Sequence, residues 1–432
     1  MNNIELYKRK FVSIDELLDK IKSGDTIVVG MAAAQPFGFL SNVHKIKDRV
    51  QNVKIITCLL LKDYEYLKYS NRENASFIAE SWYLSDFERK AYSEGRLSYI
   101  PNNLHSAGIE KIKNEKIDFY IGSATPMDDK GFFSMSLCLV YEKEMVENAK
   151  YSVLEVNEKL PKTFGDTNVY IKDVSFITEF NTTLVEFPPI EPSETERKIG
   201  EYISDLIEDG STIQLGIGGI PNAITKFIME KKNLGIHSEM LTDGMVDLIE
   251  KGVVTNKEKT IWKDKTVGAF ALGTQKLYDF INNNLSVEIH RGSIVNDPYI
   301  IRKNNKMVSI NTSLTIDITG QVCSESFGPK QYTGTGGQLD MHRGAQMSKG
   351  GMGIIASRST AKNGTISTIV PAFPEGSNIT VPRQDVDIIV TEFGVAKLKG
   401  KSTRERALSI INIAHPDFRD YLTFEAEKLN IL

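Results

Sequence analysis

The chain contains, at residues 213–223, the stretch IQLGIGGIPNA. Its first three residues form a short apolar segment that runs into a glycine-rich turn, and Pro221 suits the first turn of a following helix. A strand, a glycine turn and a helix in this order indicate an α/β fold with backbone N–H groups exposed at the turn. Glu239 lies 21 residues after Gly218. A glutamate near such N–H groups has the parts of a carboxylate nucleophile with an oxyanion site.

The same unit occurs once more, in the first half of the chain. Residues 21–30, IKSGDTIVVG, resemble residues 207–216, IEDGSTIQLG. Two later pairs of segments extend the match, namely 129–134 with 362–367 and 151–157 with 386–392. The offset grows along the chain, which indicates insertions in the second half. We therefore predict two similar open α/β domains with mostly parallel sheets and an active site in the cleft between them.

Apolar runs and amphipathic segments alternate, as the strands and helices of such domains require. The predicted strands are 53–61, 119–122, 152–156 and 387–390, and the predicted helices are 13–23, 195–209 and 222–230. Ser193 precedes acidic residues and is expected to cap the second of these helices. Residues 187–192 hold three of the 14 prolines and form the best linker candidate. The predicted domains are residues 1–190 and 191–432.

Composition excludes several classes of protein. The 432 residues carry a net charge of −4, and a general nucleic-acid-binding protein would favour a basic face. The N-terminal residues lack an apolar signal core, and the longest apolar stretch, 26–40, is interrupted by glycine and proline. We therefore predict a cytoplasmic protein that does not enter a membrane.

The cysteines and histidines do not have the spacing of a metal site. Cys58, Cys138 and Cys323 are far apart in the sequence, and no pair forms a CxxC motif. Cys58 and Cys138 sit in apolar runs and are expected to be buried. His237 precedes Glu239 by two residues and is expected to be a loop or surface histidine, with a role in tuning the glutamate as the alternative. We predict no metal.

Four stretches together resemble a known family. They are GIGGIP at 216–221, SEMLTDG at 238–244, DITGQVCSES at 317–326 and GTGGQLD at 334–340. In this order and spacing they resemble the class I coenzyme A transferases of the acetyl-CoA hydrolase/transferase family, with 4-hydroxybutyrate and butyrate:acetate CoA-transferases as the nearest types. The resemblance covers nearly the whole chain.

The resemblance implies roles for particular residues. Glu239 matches the catalytic glutamate that carries first the acyl group and then CoA. The residues that match CoA contacts are Gly216, Ile217, Gly218, Gly219, Ile220, Asn311, Gly337 and Lys362. Gln35, in the equivalent turn of the first half, is expected to face the carboxylate of the acid substrate.

The implied reaction is reversible CoA transfer between a short-chain acyl-CoA and a carboxylate such as acetate. Candidate acyl groups are acetyl, butyryl and 4-hydroxybutyryl, and CoA is both substrate and covalent intermediate, with no tightly bound cofactor. The family also implies a homo-oligomer. Three alternatives stay open at this point: an acyl-CoA hydrolase, a non-catalytic acyl-CoA-binding protein, and a dinucleotide-binding enzyme. The main departure from the dinucleotide-binding motif is Pro221, which stands at the position of its third glycine.

Overall fold

The structure is a computed structural model that describes residues 2–71 and 73–432. The chain divides into two compact units, each built from two segments. The first unit comprises Met1–Phe187 and Val267–Val295, and the second comprises Pro188–Thr266 and Asn296–Leu432. The domain boundary near residue 190 stays a prediction, since compact units and domains need not coincide.

Strands are numbered in chain order. They are β1 Thr26–Val29, β2 Val53–Thr57, β3 Phe77–Ser81, β4 Leu97–Tyr99, β5 Phe119–Ala124, β6 Phe132–Ser134, β7 Tyr151–Val156, β8 Phe164–Gly165, β9 Asn168–Tyr170, β10 Phe176–Glu179, β11 Thr212–Leu215, β12 Gly235–Leu241, β13 Thr266–Ala271, β14 Val287–Ile289, β15 Met307–Thr312, β16 Thr315–Asp317, β17 Val322–Cys323, β18 Ser326–Phe327, β19 Lys330–Gln331, β20 Met352–Ala356, β21 Thr360–Ala361, β22 Ile366–Ser367, β23 Ile369–Val370, β24 Ile388–Thr391 and β25 Gly394–Lys397.

Helices are numbered in the same way. They are α1 Asn3–Lys10, α2 Ile14–Lys20, α3 Phe37–Asn42, α4 Asp86–Ser93, α5 Ala107–Asn114, α6 Glu142–Asn148, α7 Glu194–Leu206, α8 Gly219–Phe227, α9 Asp243–Glu250, α10 Gln275–Ile281, α11 Gly292–Val295, α12 Pro298–Ile301, α13 Gln338–Met347, α14 Thr403–Asn412 and α15 Pro416–Lys428.

The first unit contains a seven-stranded parallel sheet in the order β10-β7-β5-β1-β2-β3-β4. Its central strands are buried on both faces, as their continuous apolar sequences predict. One face packs against α2 and α3 through fully buried residues such as Leu17, Phe39 and Ile27.

The second unit contains strands in the order β25-β24-β20-β15-β11-β12. The pairs β24-β20, β20-β15, β15-β11 and β11-β12 are parallel, and β25 joins the edge antiparallel to β24. Because the parallel strands share one direction, their carboxyl ends meet at a single edge of the sheet, where α/β proteins bind ligands. The predicted mixed α/β architecture with mostly parallel sheets is confirmed.

The repeated turn exists in both units. Gly24 precedes β1 with a φ of 79°, and Gly210 precedes β11 with a φ of 77°. These left-handed values favour glycine and explain why both copies keep it. In the first unit β7 lies two strands from β1, whereas in the second β24 lies three strands from β11. The second half therefore places an additional strand between the matched ones, in agreement with the predicted insertion.

The predicted start of α7 is confirmed in detail. Ser193 is its N-cap, its hydroxyl accepts from the N–H of Glu196, and the Glu196 carboxylate accepts in return from the N–H of Ser193 at 2.8 Å. This capping box satisfies N–H groups that a helix start leaves free. Residues 180–193, which include the proline-rich stretch, contain no helix or strand. In the part of the chain that the structure describes, no helix is long and apolar enough to cross a membrane.

Candidate active site

The glycine-rich turn between β11 and α8 presents an open backbone. Gly218 is the N-cap of α8, and its φ of 116° is accessible mainly to glycine. A Cβ added to Gly216 or Gly218 would have no heavy atom within 4 Å, so both glycines face open space. Ile217 is 41% exposed, whereas Ile220 is buried. The five residues predicted as the CoA-binding loop therefore form one strand-to-helix turn whose backbone a ligand can approach.

Gly219 has a different reason to be glycine. A Cβ at this position would overlap the carboxylate of Glu196, which packs against the first residue of α8. The side chain of Glu196 is almost completely buried, and its Oε1 atom lies 3.0 Å from a guanidinium nitrogen of Arg358. The third glycine of the turn is thus explained by packing within the protein.

Glu239 lies on β12, level with the glycine turn. The sequence analysis did not place a strand here, but the structure extends β12 from Gly235 to Leu241. The register pairs Thr212 with Gly235 and Ile213 with Ile236, so continuing it sets Gly216 opposite Glu239. The hydroxyl of Ser238 donates to the carbonyl oxygen of Leu215 at 3.3 Å, as the same register requires.

Two donors hold the Glu239 carboxylate. The Nδ2 atom of Asn296 donates to Oε2 at 2.8 Å, and the backbone N–H of Gly337 donates to the same carboxylate. Gly337 is the N-cap of α13, where the helix start leaves N–H groups free and favours an anion. A Cβ on Gly337 would overlap both Oε2 of Glu239 and Nδ2 of Asn296. The glycine is therefore required by the close approach of the carboxylate.

The surroundings raise the pKa of Glu239 to about 7. The largest cause is burial, because removal from water disfavours the charged carboxylate. The hydrogen bond from Asn296 and that from Gly337 act in the opposite direction, and the nearby charge of Asp340 raises the pKa further. A carboxyl group with a pKa of about 7 is ionised in a large fraction of molecules at neutral pH and is less stabilised by solvent than an exposed one. Such a shift is typical of functional carboxylates.

Asn311 lies at the same level of the sheet, on β15. The β11–β15 register pairs Leu215 with Ile310, so its continuation sets Asn311 opposite Gly216. The Nδ2 atom of Asn311 donates to Oε1 of Gln214 at 3.1 Å and to Oγ of Ser309 at 2.9 Å. Its side chain is thus oriented from within the sheet and remains half-buried at the ligand-binding edge.

Lys362 lies on a different element from the other predicted contacts. It follows β21 at the tip of the small β21–β22 hairpin, with a φ of 47° and an exposed side chain. The carbonyl oxygen of Lys362 accepts from Thr365 Oγ1 at 2.8 Å, which closes the tip. The structure brings Glu239, Gly337, Asn311 and the glycine turn to one edge, and it sets Lys362 on a hairpin that leaves this edge after β20.

Asn296 is the main residue that sequence reasoning missed. It is fully buried and lies 57 positions beyond Glu239 in the chain, without a local motif that announces it. Its Oδ1 atom is buried and has no hydrogen-bond partner in the structure. The one available signal was its place directly before Asp297 and Pro298, which start α12 and fix the backbone at this point.

The expectation for the histidine near Glu239 was wrong. His237 is neither on a loop nor at the surface: it is fully buried on β12, its Nδ1 lies 3.1 Å from Asn304 Nδ2, and its ring packs against Trp262. Gln35 is fully buried, and its expected role toward the carboxylate of the acid substrate stays a prediction. Its Oε1 accepts from the hydroxyl of Tyr64 at 2.9 Å and its Nε2 donates to the carbonyl oxygen of Ala32 at 2.6 Å.

One of the motifs that carried the resemblance is structural. The Oδ1 atom of Asp317 accepts from the N–H and hydroxyl of Thr319 at 2.9 and 2.8 Å and from the N–H of Gln321 at 2.9 Å. These bonds form a tight turn with Gly320 at a φ of 93°. The Asp317 carboxylate is occupied within its own turn, so the motif shapes the chain after β16.

The next motif supports the loop that leads to Gly337. The side chain of Glu325 accepts from Thr380 Oγ1 and from Gln331 Nε2, each at 3.0 Å. Its carbonyl oxygen accepts from the N–H groups of Tyr332 and Thr333 at 2.8 and 3.1 Å. Glu325 thereby fixes the chain just before the second glycine-rich run.

Cys58, Cys138 and Cys323 are buried, as predicted for the first two. Among residues 2–71 and 73–432 there is no group of three or more His, Cys, Asp or Glu side chains that could hold a metal ion.

Comparison with known families identifies two matching domain models. Residues 1–189 match the acetyl-CoA hydrolase/transferase N-terminal domain, and residues 273–426 match the C-terminal domain of the same family. Together these models cover most of the chain.

Individual relatives are similar over nearly their whole length. A succinyl-CoA:cyclohexane-1-carboxylate CoA transferase from Geobacter metallireducens is 42% identical over 98% of this chain and 96% of its own. A 4-hydroxybutyrate coenzyme A transferase from Clostridium kluyveri is 41% identical over 98% of this chain and 99% of its own. Among solved structures, RipA from Yersinia pestis superposes with a TM-score of 0.95 at 36% identity and covers 100% of both chains.

Proposed function

This chain belongs to the acetyl-CoA hydrolase/transferase family and is a CoA-transferase, and we propose that it moves CoA reversibly between a short-chain acyl-CoA and a carboxylate such as acetate. The candidate acyl groups are butyryl, 4-hydroxybutyryl and acetyl. We propose Glu239 as the nucleophile. The turn Gly216–Ile220, Asn311, Gly337 and Lys362 are the proposed CoA contacts.

One observation carries this proposal. The Glu239 carboxylate lies level with an open glycine turn, and it is held by Asn296 Nδ2 at 2.8 Å and by the N–H of Gly337. A buried carboxylate that only stabilised the fold would also need hydrogen-bond donors, but it would not need an open backbone turn beside it. The same arrangement is what transfer through an acyl-glutamate requires.

In the first step, Glu239 attacks the thioester carbonyl of the acyl-CoA. Because Asn296 donates to Oε2, the other oxygen, Oε1, is the proposed attacking atom. A C–O bond forms, the C–S bond breaks, and the electron pair leaves with sulfur as the CoA thiolate. The product is a mixed anhydride of the acyl group and Glu239, which keeps the acyl group activated.

In the second step, the thiolate attacks the glutamyl carbonyl carbon of the anhydride. The bond between Cδ of Glu239 and the bridging oxygen breaks, the donor acid departs as a carboxylate with that oxygen and the electron pair, and CoA becomes bound to Glu239 as a thioester. The oxyanion that forms here lies on Oε2, so Asn296 and Gly337 would donate to it. Loss of one such donor typically lowers the rate ~100-fold to 1,000-fold. The acceptor acid then enters, and the two steps run in reverse.

The experiment that tests this proposal measures exchange of CoA between acetyl-CoA and butyrate. Formation of butyryl-CoA with ping-pong kinetics supports it. Release of free CoA without an acceptor acid would instead indicate the hydrolase, which is the other activity in the family's description. Binding of CoA without either reaction would indicate a non-catalytic acyl-CoA-binding protein.

A panel of acids from two to six carbons, with 4-hydroxybutyrate, would identify the preferred acyl group. One methylene in an apolar pocket changes discrimination by only ~1–3 kcal/mol, so preference has to be measured as a ratio of kcat/KM values. The cytoplasmic location and the homo-oligomer stay predictions.

A further inference from the structure

Arg358 places a positive charge at the ligand-binding edge of the second unit. It follows β20 by two residues, at the carboxyl end of that strand, and its side chain is 59% exposed. The chain continues directly from Arg358 into the β21–β22 hairpin that carries Lys362. The segment that follows β20 therefore carries two positively charged side chains, Arg358 and Lys362.

Glu196 orients this arginine. Its Oε1 atom lies 3.0 Å from Nη2 of Arg358, while Oε2 accepts from the N–H and the hydroxyl of Ser193, each at 2.8 Å. The carboxylate is thus fixed by the capping box of α7 and packs against Gly219 in the glycine turn. The ion pair uses one side of a guanidinium that has five N–H donors. The remaining donors are held beside the turn and exposed.

The order of the strands limits the distance between the backbones of Arg358 and Glu239 along the edge. The order β20-β15-β11-β12 separates the two strands by three spacings, which is about 14 Å at ~4.8 Å per spacing. In CoA, the arm from the thiol sulfur to the first phosphorus is 13 bonds long, slightly longer than a four-residue extended peptide, or roughly 16 Å. Because the ion pair with Glu196 brings the guanidinium back beside the glycine turn, the arm is long enough to join it to Glu239.

We propose that Arg358 binds the diphosphate of CoA while the CoA thiol reaches Glu239, so that the pantetheine arm passes along the glycine turn between β11 and α8. This inference rests on the proposed function, because it needs CoA as the ligand of that edge. It assigns to Arg358 the recognition of phosphate, for which a planar, bidentate guanidinium is well suited. It also explains why the glycine turn, along which the arm passes, has an open backbone.

The test compares thioesters that differ only beyond the arm. Arg358→Gln should raise the KM for the acyl-CoA about 10-fold to 100-fold, as expected for the loss of a charge-assisted hydrogen bond, with kcat nearly unchanged. With the matching acyl-pantetheine, which lacks the diphosphate, the wild type and the variant should have equal kcat/KM. An acyl-dephospho-CoA keeps the diphosphate and should show the full penalty.

The control is Arg197→Gln. Arg197 lies in the first turn of α7, is also exposed, and also pairs with an acidic residue, Glu191, at 2.6 Å. This variant should leave the KM for acyl-CoA unchanged. A penalty that disappears with acyl-dephospho-CoA would assign Arg358 to the 3′-phosphate and overturn the proposal, and so would an equal penalty with acyl-pantetheine. If the wild type transfers CoA and Arg358→Gln has the same KM, only the role of Arg358 is refuted. If the wild type does not transfer CoA, the proposed function is refuted.

Discussion

The Nδ2 atom of Asn296 lies 2.8 Å from Oε2 of Glu239, although the two residues are 57 positions apart in the chain. Asn296 is fully buried, and it presents its amide to the carboxylate from the chain segment that precedes α12. Because this bond occupies Oε2, Oε1 is the oxygen of Glu239 that would attack a thioester. The bond therefore defines the side from which the thioester would approach.

The first prediction concerns this hydrogen bond. Asn296→Ala should lower kcat for CoA transfer ~100-fold to 1,000-fold, because one oxyanion donor is lost. The bond also lowers the pKa of Glu239, so its removal should shift the rising limb of the pH–kcat/KM profile to higher pH. The matched control is Asn305→Ala, at an exposed asparagine that follows α12, which should alter neither quantity. A purely structural Asn296 would change stability without moving the pH profile.

The second prediction concerns Gly337. Its φ is −91°, so alanine is compatible with the backbone, but a Cβ would overlap Glu239 and Asn296. Gly337→Ala should therefore lower kcat at least ~100-fold, since displacement of a reacting group by about 1 Å has an effect of that size. The melting temperature, followed by circular dichroism, should show a folded protein. Normal activity in this variant would contradict the close packing described here.

The third prediction is the pH dependence of the rate. Attack requires the ionised form of Glu239, whose pKa is about 7. The kcat/KM for transfer should fall about tenfold per pH unit below pH 7 and level off above pH 8. A profile that stays flat down to pH 5 would show that the attacking group is not this carboxyl.

The fourth prediction is the effect of the same group on stability. Burial raises the pKa of Glu239 from its ordinary value of 4.5 to about 7, so the folded state binds the proton more tightly than the unfolded state. This contribution to stability is fully present below pH 4.5 and is lost as the pH rises to 7, by about 3 kcal/mol in all. Glu239→Gln lacks this loss, and its free energy of unfolding should exceed that of the wild type at pH 8 but not at pH 4.5.

Glu155, a buried carboxyl of the first unit, also has a pKa raised to about 7 by burial, against the N–H bonds from Gly38 and Phe39. It is present in both proteins, so the difference between wild type and Glu239→Gln isolates Glu239. An equal pH dependence of stability in the two proteins would mean that Glu239 is not shifted.

The fifth prediction concerns the length of the nucleophile. Glu239→Asp withdraws the carboxylate by one methylene from the thioester and from Asn296. Transfer should fall ~100-fold or more, and the ratio of hydrolysis to transfer should rise because the shorter arm exposes the intermediate to water. The two rates are measured as free CoA and as new acyl-CoA in one assay. Transfer close to the wild-type rate would count against the mechanism.

The sequence was sufficient for the features that depend on local chemistry. The glycine turn after β11, the capping serine of α7 and the apolar strands β5 and β7 follow from residue type and spacing. The strand β12 did not, because its polar residues break the apolar pattern. They are tolerated in the buried sheet because Ser238 bonds to Leu215 and His237 bonds to Asn304.

Of the two partners of Glu239, Asn296 was not predicted, and Gly337 was predicted only through the resemblance to the family. Asn296 and Gly337 reach the carboxylate only because the chain returns to it twice, after 57 and after 98 further residues. A local pattern carries no information about such a return. The same holds for Arg358, whose position beside the glycine turn depends on the order of β20, β15 and β11 in the sheet.

The central claim is that Glu239 becomes covalently bound to CoA during turnover. The most direct measurement incubates the enzyme with an acyl-CoA and no acceptor, and then determines the intact mass and maps the modified peptide. We expect an adduct with the mass of CoA on Glu239, which borohydride reduces, and no adduct in Glu239→Gln. A fully active preparation in which this carboxyl stays unmodified would contradict the account.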